Sequence, residues 1–222
     1  MLGLTREEGR AVSSTEGWKN SLEHIAEEIS GLWLDRLIWR SIREMVEQLP
    51  GARDSFMVAW IGEQYYRRAA LSVRTMVDRD QGSDSLLNLL IDISHNPAEV
   101  TCPGALHTMR APGLSTVDPA LVQADIDTLT ASASRVRQYV NKHLAHVAKS
   151  PTVQIPAITE VDDGVQLLGE LLEKYTLLLR NVDLRVEPVL DFDWAAGLRE
   201  PWLSPESERR RAERDYSKYT VN

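Results

Sequence analysis

This 222-residue chain has one cysteine, Cys102, only two phenylalanines, and 25 basic against 33 acidic residues. A single thiol excludes an internal disulfide and any multi-cysteine zinc cluster. A chain of this length can bury roughly 70% of its unfolded surface and needs neither to fold. No apolar run reaches the roughly 18 to 20 residues that span a bilayer. The opening stretch MLGLTREEGR is charged within six residues and has no apolar core, so no secretory leader is expected. Together these absences lead us to expect a soluble cytoplasmic protein. The net charge of −8 excludes a polymer-coating nucleic-acid binder held by a broad basic surface.

The acidic balance is uneven. Residues 151–198 hold nine acidic and three basic residues, whereas 135–149 contain Arg135, Arg137, Lys142 and Lys149 and no acid. Within that basic island, YVNKHLAHVAK carries two histidines three positions apart. One cationic spot on an acidic chain suits a local phosphate contact; a solvated helix face is the plainer alternative.

Helical periodicity runs through the chain. From Trp18 to Leu49 apolar residues recur at helical spacing, with Ser30-Gly31 as a candidate break and Pro50-Gly51 as the stop. A second helix is predicted over about Arg53 to Asp78, with Phe56, Ala59, Tyr66, Ala69, Val73 and Val77 on one stripe. GSDSLLNLLIDISHNP reads as a short helix capped by Ser83 or Asp84 and ending before Pro97. Residues 97–117, rich in proline and glycine, form a loop long enough to be functional or mobile. Asp118-Pro119 then gives a cap and a first-turn proline. The helix it opens has an apolar stripe of Val122, Ile126, Leu129, Ala133, Val136, Val140, His143 and Val147, the seam spacing of lengthwise packing. A last long helix is predicted over about Thr159 to Val182. The fold class is all-α: an antiparallel helical bundle over residues 1–185, with a C-terminal extension over 186–222 that is helical or partly disordered. In that tail, residues 206–215 contain no strong hydrophobe except Ala212.

On a regular helix each residue turns by about 100°. His146 then falls about 60° to one side of the stripe with Tyr139, Lys142 and Arg135. Val140 falls about 60° to the other, with Arg137 farther round. Lys142 and His146 sit one turn apart, an ammonium and an imidazole for a phosphate. Two histidines can also divide base and acid roles near neutral pH. His143, on the stripe itself, is either a satisfied core histidine or a catalytic one, and Asn141 either an exposed polar residue or a site residue. No carboxylate or cysteine lies within one turn of the histidine pair, so neither a metal nor any other cofactor is expected.

NKHLAH at 141–146, together with VAWIGEQYYRRAALSVRTMVDRDQGSDSLLNLLIDI at 58–93, resembles the HEPN superfamily, specifically its abortive-infection AbiU-type branch. The likeness covers about residues 35 to 182. It implies a helical bundle that forms a homodimer and acts as a metal-independent endoribonuclease in antiviral defence or toxin–antitoxin systems. RNA or a nucleotide, and an antitoxin or other protein, are the partners it implies. In such enzymes a histidine helps a ribose 2′-hydroxyl attack the adjacent phosphate and an arginine steadies the developing charge. The family pattern Arg-Asn-Lys-x-x-Ala-His aligns with Val140, Asn141, Lys142 and His146, so the arginine slot holds Val140. Arg137 and His143 fit the arginine-to-histidine spacing literally, at the expense of the longer match. The resemblance therefore assigns His146 to proton transfer, with His143 and Asn141 orienting. Lys142, Arg137, Arg135 and Arg74 are the candidate phosphate ligands. Arg74 either pairs with Asp78 one turn on or reaches the site in place of the missing arginine. If the stripe is a two-fold seam, each site is completed by the mate's flank. The alternative is a catalytically degenerate dimer that binds RNA, a nucleotide or a protein.

Overall fold

A computed structural model describes residues 14–48, 55–80, 82–144 and 154–189. It is an all-α bundle of α1 (Ser14–Gln48), α2 (Phe56–Met76), α3 (Leu86–His95), α4 (Pro119–Tyr139) and α5 (Ile158–Arg180). Among the described residues the only β contacts are two isolated bridges. The chain divides into two compact units, 1–188 and 189–222, and the described residues up to Pro188 belong to the first. The expected C-terminal extension, beyond Val189, lies outside the described residues.

α5 is the pivot of the bundle and packs against α1, α2 and α4, while α3 lies on α4. α1 buries Trp18, Leu22, Ile25, Ile29, Leu32 and Arg36. That four-three alternation is a lengthwise seam. The expected break at Ser30-Gly31 does not occur. Both flanking apolar residues, Ile29 and Leu32, are fully buried. A single glycine costs a helix only about 1 kcal/mol, which that burial exceeds. Beyond Arg36, no side chain of α1 is fully buried.

α2 starts at Phe56, capped by Ser55. Its predicted stripe is corrected at the N-terminal end: Phe56 is 84% exposed and Ala59 is exposed, whereas Tyr65, Ala69, Ala70, Val73, Met76 and Val77 form the buried face. Neither α1 beyond Arg36 nor α2 before Tyr65 has a fully buried side chain. Polar ties lock α1, α2 and α5 together. Trp33 donates to the Val165 carbonyl (3.2 Å), Arg36 to Gln166 (2.7 Å), and Tyr65 to Asp162 (2.5 Å). Burial pushes the Tyr65 hydroxyl far up, and the Asp162 carboxylate that accepts its proton pushes it further.

The cap of α3 is Ser85 rather than Ser83 or Asp84. Its hydroxyl accepts from Asn88 N–H (3.1 Å) and donates to the Asp78 carbonyl (2.7 Å). Asp84 instead leaves the helix to meet Ser21 (2.8 Å) and His24 (2.9 Å) on α1. The 97–117 segment is pinned to the core rather than free. Val100, Cys102, Met109 and Val117 are buried, and bridges join Thr101 to Thr116 and Arg110 to Val117. Burial raises the Cys102 thiol, which makes it a poor nucleophile.

α4 begins as its sequence predicts, with the Asp118 carboxylate accepting from Ala120 N–H (2.9 Å) ahead of Pro119. Val122, Ile126, Leu129, Ala133, Val136 and Val140 are all buried within this one chain. The reading of that stripe as a two-fold seam is therefore corrected, because the chain's own α2, α3 and α5 occupy it. α5 ends at Asn181, whose left-handed φ of 54° suits a helix stop. No helix of the described residues is long and apolar enough to cross a membrane.

Candidate functional site

The basic island lies where α4 ceases to be a regular helix. After Tyr139 the chain enters a π-helical turn, Val140–Leu144, the first four residues of which are Val-Asn-Lys-His. Such turns insert one residue into the ladder and occur often at functional sites. Wheel angles reckoned for a regular helix therefore do not carry past Val140. Ala145, His146, Val147 and Lys149 lie outside the described residues, so the expected Lys142–His146 neighbourhood is not described.

Within the turn, the side chains separate into three environments. Val140 is 1% exposed and belongs to the core. The position that the resemblance aligns with an arginine thus lies in the core, where a guanidinium would be desolvated. Asn141 turns toward α2, where its carbonyl oxygen accepts from Arg74 Nε at 3.2 Å. Lys142 is exposed.

Arg74 pairs with Asp78, as one of its two anticipated roles required, and also bonds Asn141. Its Nη1 donates to Asp78 (2.5 Å) while its Nε holds Asn141, 67 residues away in sequence. Asp78 also accepts from the Asp80 amide at 3.4 Å, and its own carbonyl accepts from Ser85. The α2 terminus, the α3 cap and the turn are thereby joined in one hydrogen-bonded chain. The carboxylate offsets much of the Arg74 charge, so at rest Arg74 acts mainly as a positioning donor.

Beside this bond lies a pocket of about 320 Å³. Val77 and Leu87 supply an apolar wall, and Thr130, Ser134, Arg137, Gln138 and Asn141 supply a polar one. The polar residues follow one flank of α4 into the turn, at helical spacing. Arg137 and Asn141, both expected site residues, are thus brought together. Arg137 is exposed and makes no ion pair among the described residues. Thr130 has a buried hydroxyl without a hydrogen-bond partner. Nothing in the periodicity marked Thr130, Ser134 or Gln138; they read as the ordinary polar flank of an amphipathic helix.

The opposite flank holds the other expected residues. Arg135 binds Glu160, whose second oxygen accepts from Ala157 N–H (2.8 Å) at the start of α5. Its charge is used to fasten α4 to α5. His143 is half-buried and stacks on Tyr139 with ring centroids 5.2 Å apart, and its Nε2 is buried with no hydrogen-bond partner. Tyr139, expected about 60° from the centre of the stripe, is 9% exposed. It meets Tyr66 edge-on at 5.8 Å. The Tyr66 hydroxyl, pushed up to about 12 chiefly by burial, stays protonated and donates to the Pro156 carbonyl (2.9 Å). Arg137 and His143, which satisfy the family's arginine-to-histidine spacing literally, therefore stand in separate environments.

No group of three or more histidine, cysteine, aspartate or glutamate side chains that could hold a metal occurs among the described residues. Compared with family models, with curated proteins and with solved structures, the chain gives no match.

Proposed function

We propose that this chain is a HEPN-type protein that acts on RNA, cleaving it without metal at the 140–146 segment. The observation that carries the reading is the placement of Asn141. The Arg74 guanidinium fixes its amide at an irregular turn, on the edge of a pocket that also holds Arg137. In the proposed reaction His146 takes the proton of a ribose 2′-hydroxyl. The 2′-oxygen attacks the adjacent phosphorus, and the bond to the 5′-oxygen breaks. The proton returns to that departing oxygen, leaving a 2′,3′-cyclic phosphate and a 5′-hydroxyl. Arg137 and Lys142 supply donors to the phosphoryl oxygens, where charge grows in the transition state, and Asn141, held by Arg74, orients the substrate. Protein incubated with structured RNA in EDTA should yield cyclic-phosphate ends, and His146→Ala should abolish them. Intact RNA after long incubation at high protein concentration would remove the cleavage reading.

One observation favours a second reading, binding without cleavage. The family's arginine slot is a core valine, and the nearest substitute, Arg74, is already paired with Asp78. Under that reading RNA, a nucleotide or a protein partner such as an antitoxin occupies the same turn and leaves chemically unchanged. Saturable RNA binding with no cleavage would select it.

A homodimer belongs to the proposal, formed on a surface other than the α4 stripe. The exposed Phe56, Met57 and Trp60 at the start of α2 offer one. Phe56→Glu combined with Trp60→Glu should give monomers by light scattering. A parent that is itself monomeric would remove the dimer, and a dimeric variant would move its contact elsewhere.

A further inference from the structure

The pocket between α3 and α4 has a shape and a donor pattern that the cleavage chemistry alone does not require. At about 320 Å³ it lies at the small end of ligand sites, large enough for one nucleobase. One wall is aliphatic, from Val77 and Leu87, and suits the face of a ring. The other carries hydrogen-bonding groups at three levels: Thr130 and Ser134, then Arg137 and Gln138, then Asn141.

Thr130, Ser134 and Gln138 can donate or accept, whereas two of the groups present only donors to the pocket. Arg137 offers only N–H groups. The Asn141 oxygen is taken by Arg74 Nε, which sets the orientation of the amide and leaves its NH2 as the free end. The buried Thr130 hydroxyl, lacking any partner, is a group that an empty pocket leaves unsatisfied. We infer that this pocket is a base subsite for a single nucleotide with a keto edge, uracil or guanine, its phosphate held by Arg137. This rests on the reading of the chain as acting on RNA. Uracil and guanine present ring carbonyl oxygens to such donors. Where guanine O6 and uracil O4 accept, adenine and cytosine carry an amino group, which would set donor against donor at that position.

The test is titration of the full chain with UMP, GMP, AMP, CMP and inorganic phosphate at one salt concentration, followed by calorimetry and by the side-chain amide signals of Gln138 and Asn141. UMP and GMP should saturate and bind about 5- to 10-fold more tightly than CMP and AMP, the difference of about one good hydrogen bond. Ser134→Trp should fill the pocket and abolish binding. Thr130→Val, which keeps the side-chain shape, should weaken it about 3- to 10-fold without loss of fold. Equal affinity for all four nucleotides, phosphate binding as tight as UMP, or an unaffected Thr130→Val variant would each overturn the base subsite. The two proposals fail separately. A protein that binds UMP and leaves RNA intact loses the cleavage reaction alone. One that cleaves RNA and ignores free nucleotides loses the subsite alone.

Discussion

Replacing Val140 by arginine restores the family's pattern on paper, and the structure sets what that should do. Val140 is 1% exposed, continuous with Val136 on the buried face of α4. Arginine adds four heavy atoms to a filled space, and overpacking of that kind costs about 1–3 kcal/mol. Its guanidinium must either lose water, at several kcal/mol, or drag the π turn outward to reach it. A total of roughly 3–5 kcal/mol is a large share of a typical domain's 5–15. At about 2–4 °C per kcal/mol for a chain of this size, melting should fall by about 6–20 °C. Val140→Ala is the reference. It removes two buried methyl carbons and leaves a small cavity, for about 2 kcal/mol and no charge. Thermal denaturation followed by circular dichroism reads both, and RNA incubation in EDTA reads activity on the same samples. A Val140→Arg protein that melts like the parent and gains cleavage would refute the reasoning. It would mean that the slot faces an open site and that the chain is an enzyme lacking one cation.

Three further expectations follow from other contacts. Gly169→Ala places a Cβ 2.4 Å from Trp33 Nε1, which is itself bonded to the Val165 carbonyl. It should cost about 1–3 kcal/mol in denaturant titration, and an unchanged midpoint would mean that the indole moves freely. Ser85→Ala removes both the α3 cap and the bond to Asp78 and should cost about 2 kcal/mol; a loss below a few tenths would contradict the cap. For His24, the hydrogen bond it donates to Asp84 raises the imidazole above 6.5, and the same bond is the main cause lowering the Asp84 carboxyl below 3.8. A raised histidine stabilises below its unfolded value and loses that effect as pH rises through the folded one. A lowered aspartate stabilises above its unfolded value and loses that effect as pH falls. The pair therefore acts most fully between about pH 4 and 6.5. An NMR titration should find the His24 midpoint above 6.5, falling in Asp84→Asn; coincident midpoints would deny the pair.

Much of the architecture was legible because it is periodic. Asp118-Pro119 announces α4, and the spacing from Val122 to Val140 identifies its buried face. Periodicity says that a face is covered, without saying by what. For that reason the α4 stripe suggested a second copy, while the chain's own helices cover it. Ser30-Gly31 misled because local breakers yield where Ile29 and Leu32 are fully buried. The site was less legible. Asn141 and Arg74 meet across 67 residues, and no local rule pairs them. The chain leaves the regular helical period after Tyr139, so a regular wheel does not place the residues of the turn. The polar wall at Thr130, Ser134 and Gln138 has the pattern of any solvent-facing flank, and only the neighbouring Val77 and Leu87 make it a pocket.

The account depends on RNA lying against the 140–146 segment and the adjacent flank of α4. Photo-crosslinking of the full chain to RNA substituted with 4-thiouridine, with the attachment sites mapped by mass spectrometry, reads this without relying on cleavage. Crosslinks should concentrate within residues 134–146 and diminish in Arg137→Ala. Crosslinks confined to other helices, or none above those of an unrelated acidic protein, would contradict it.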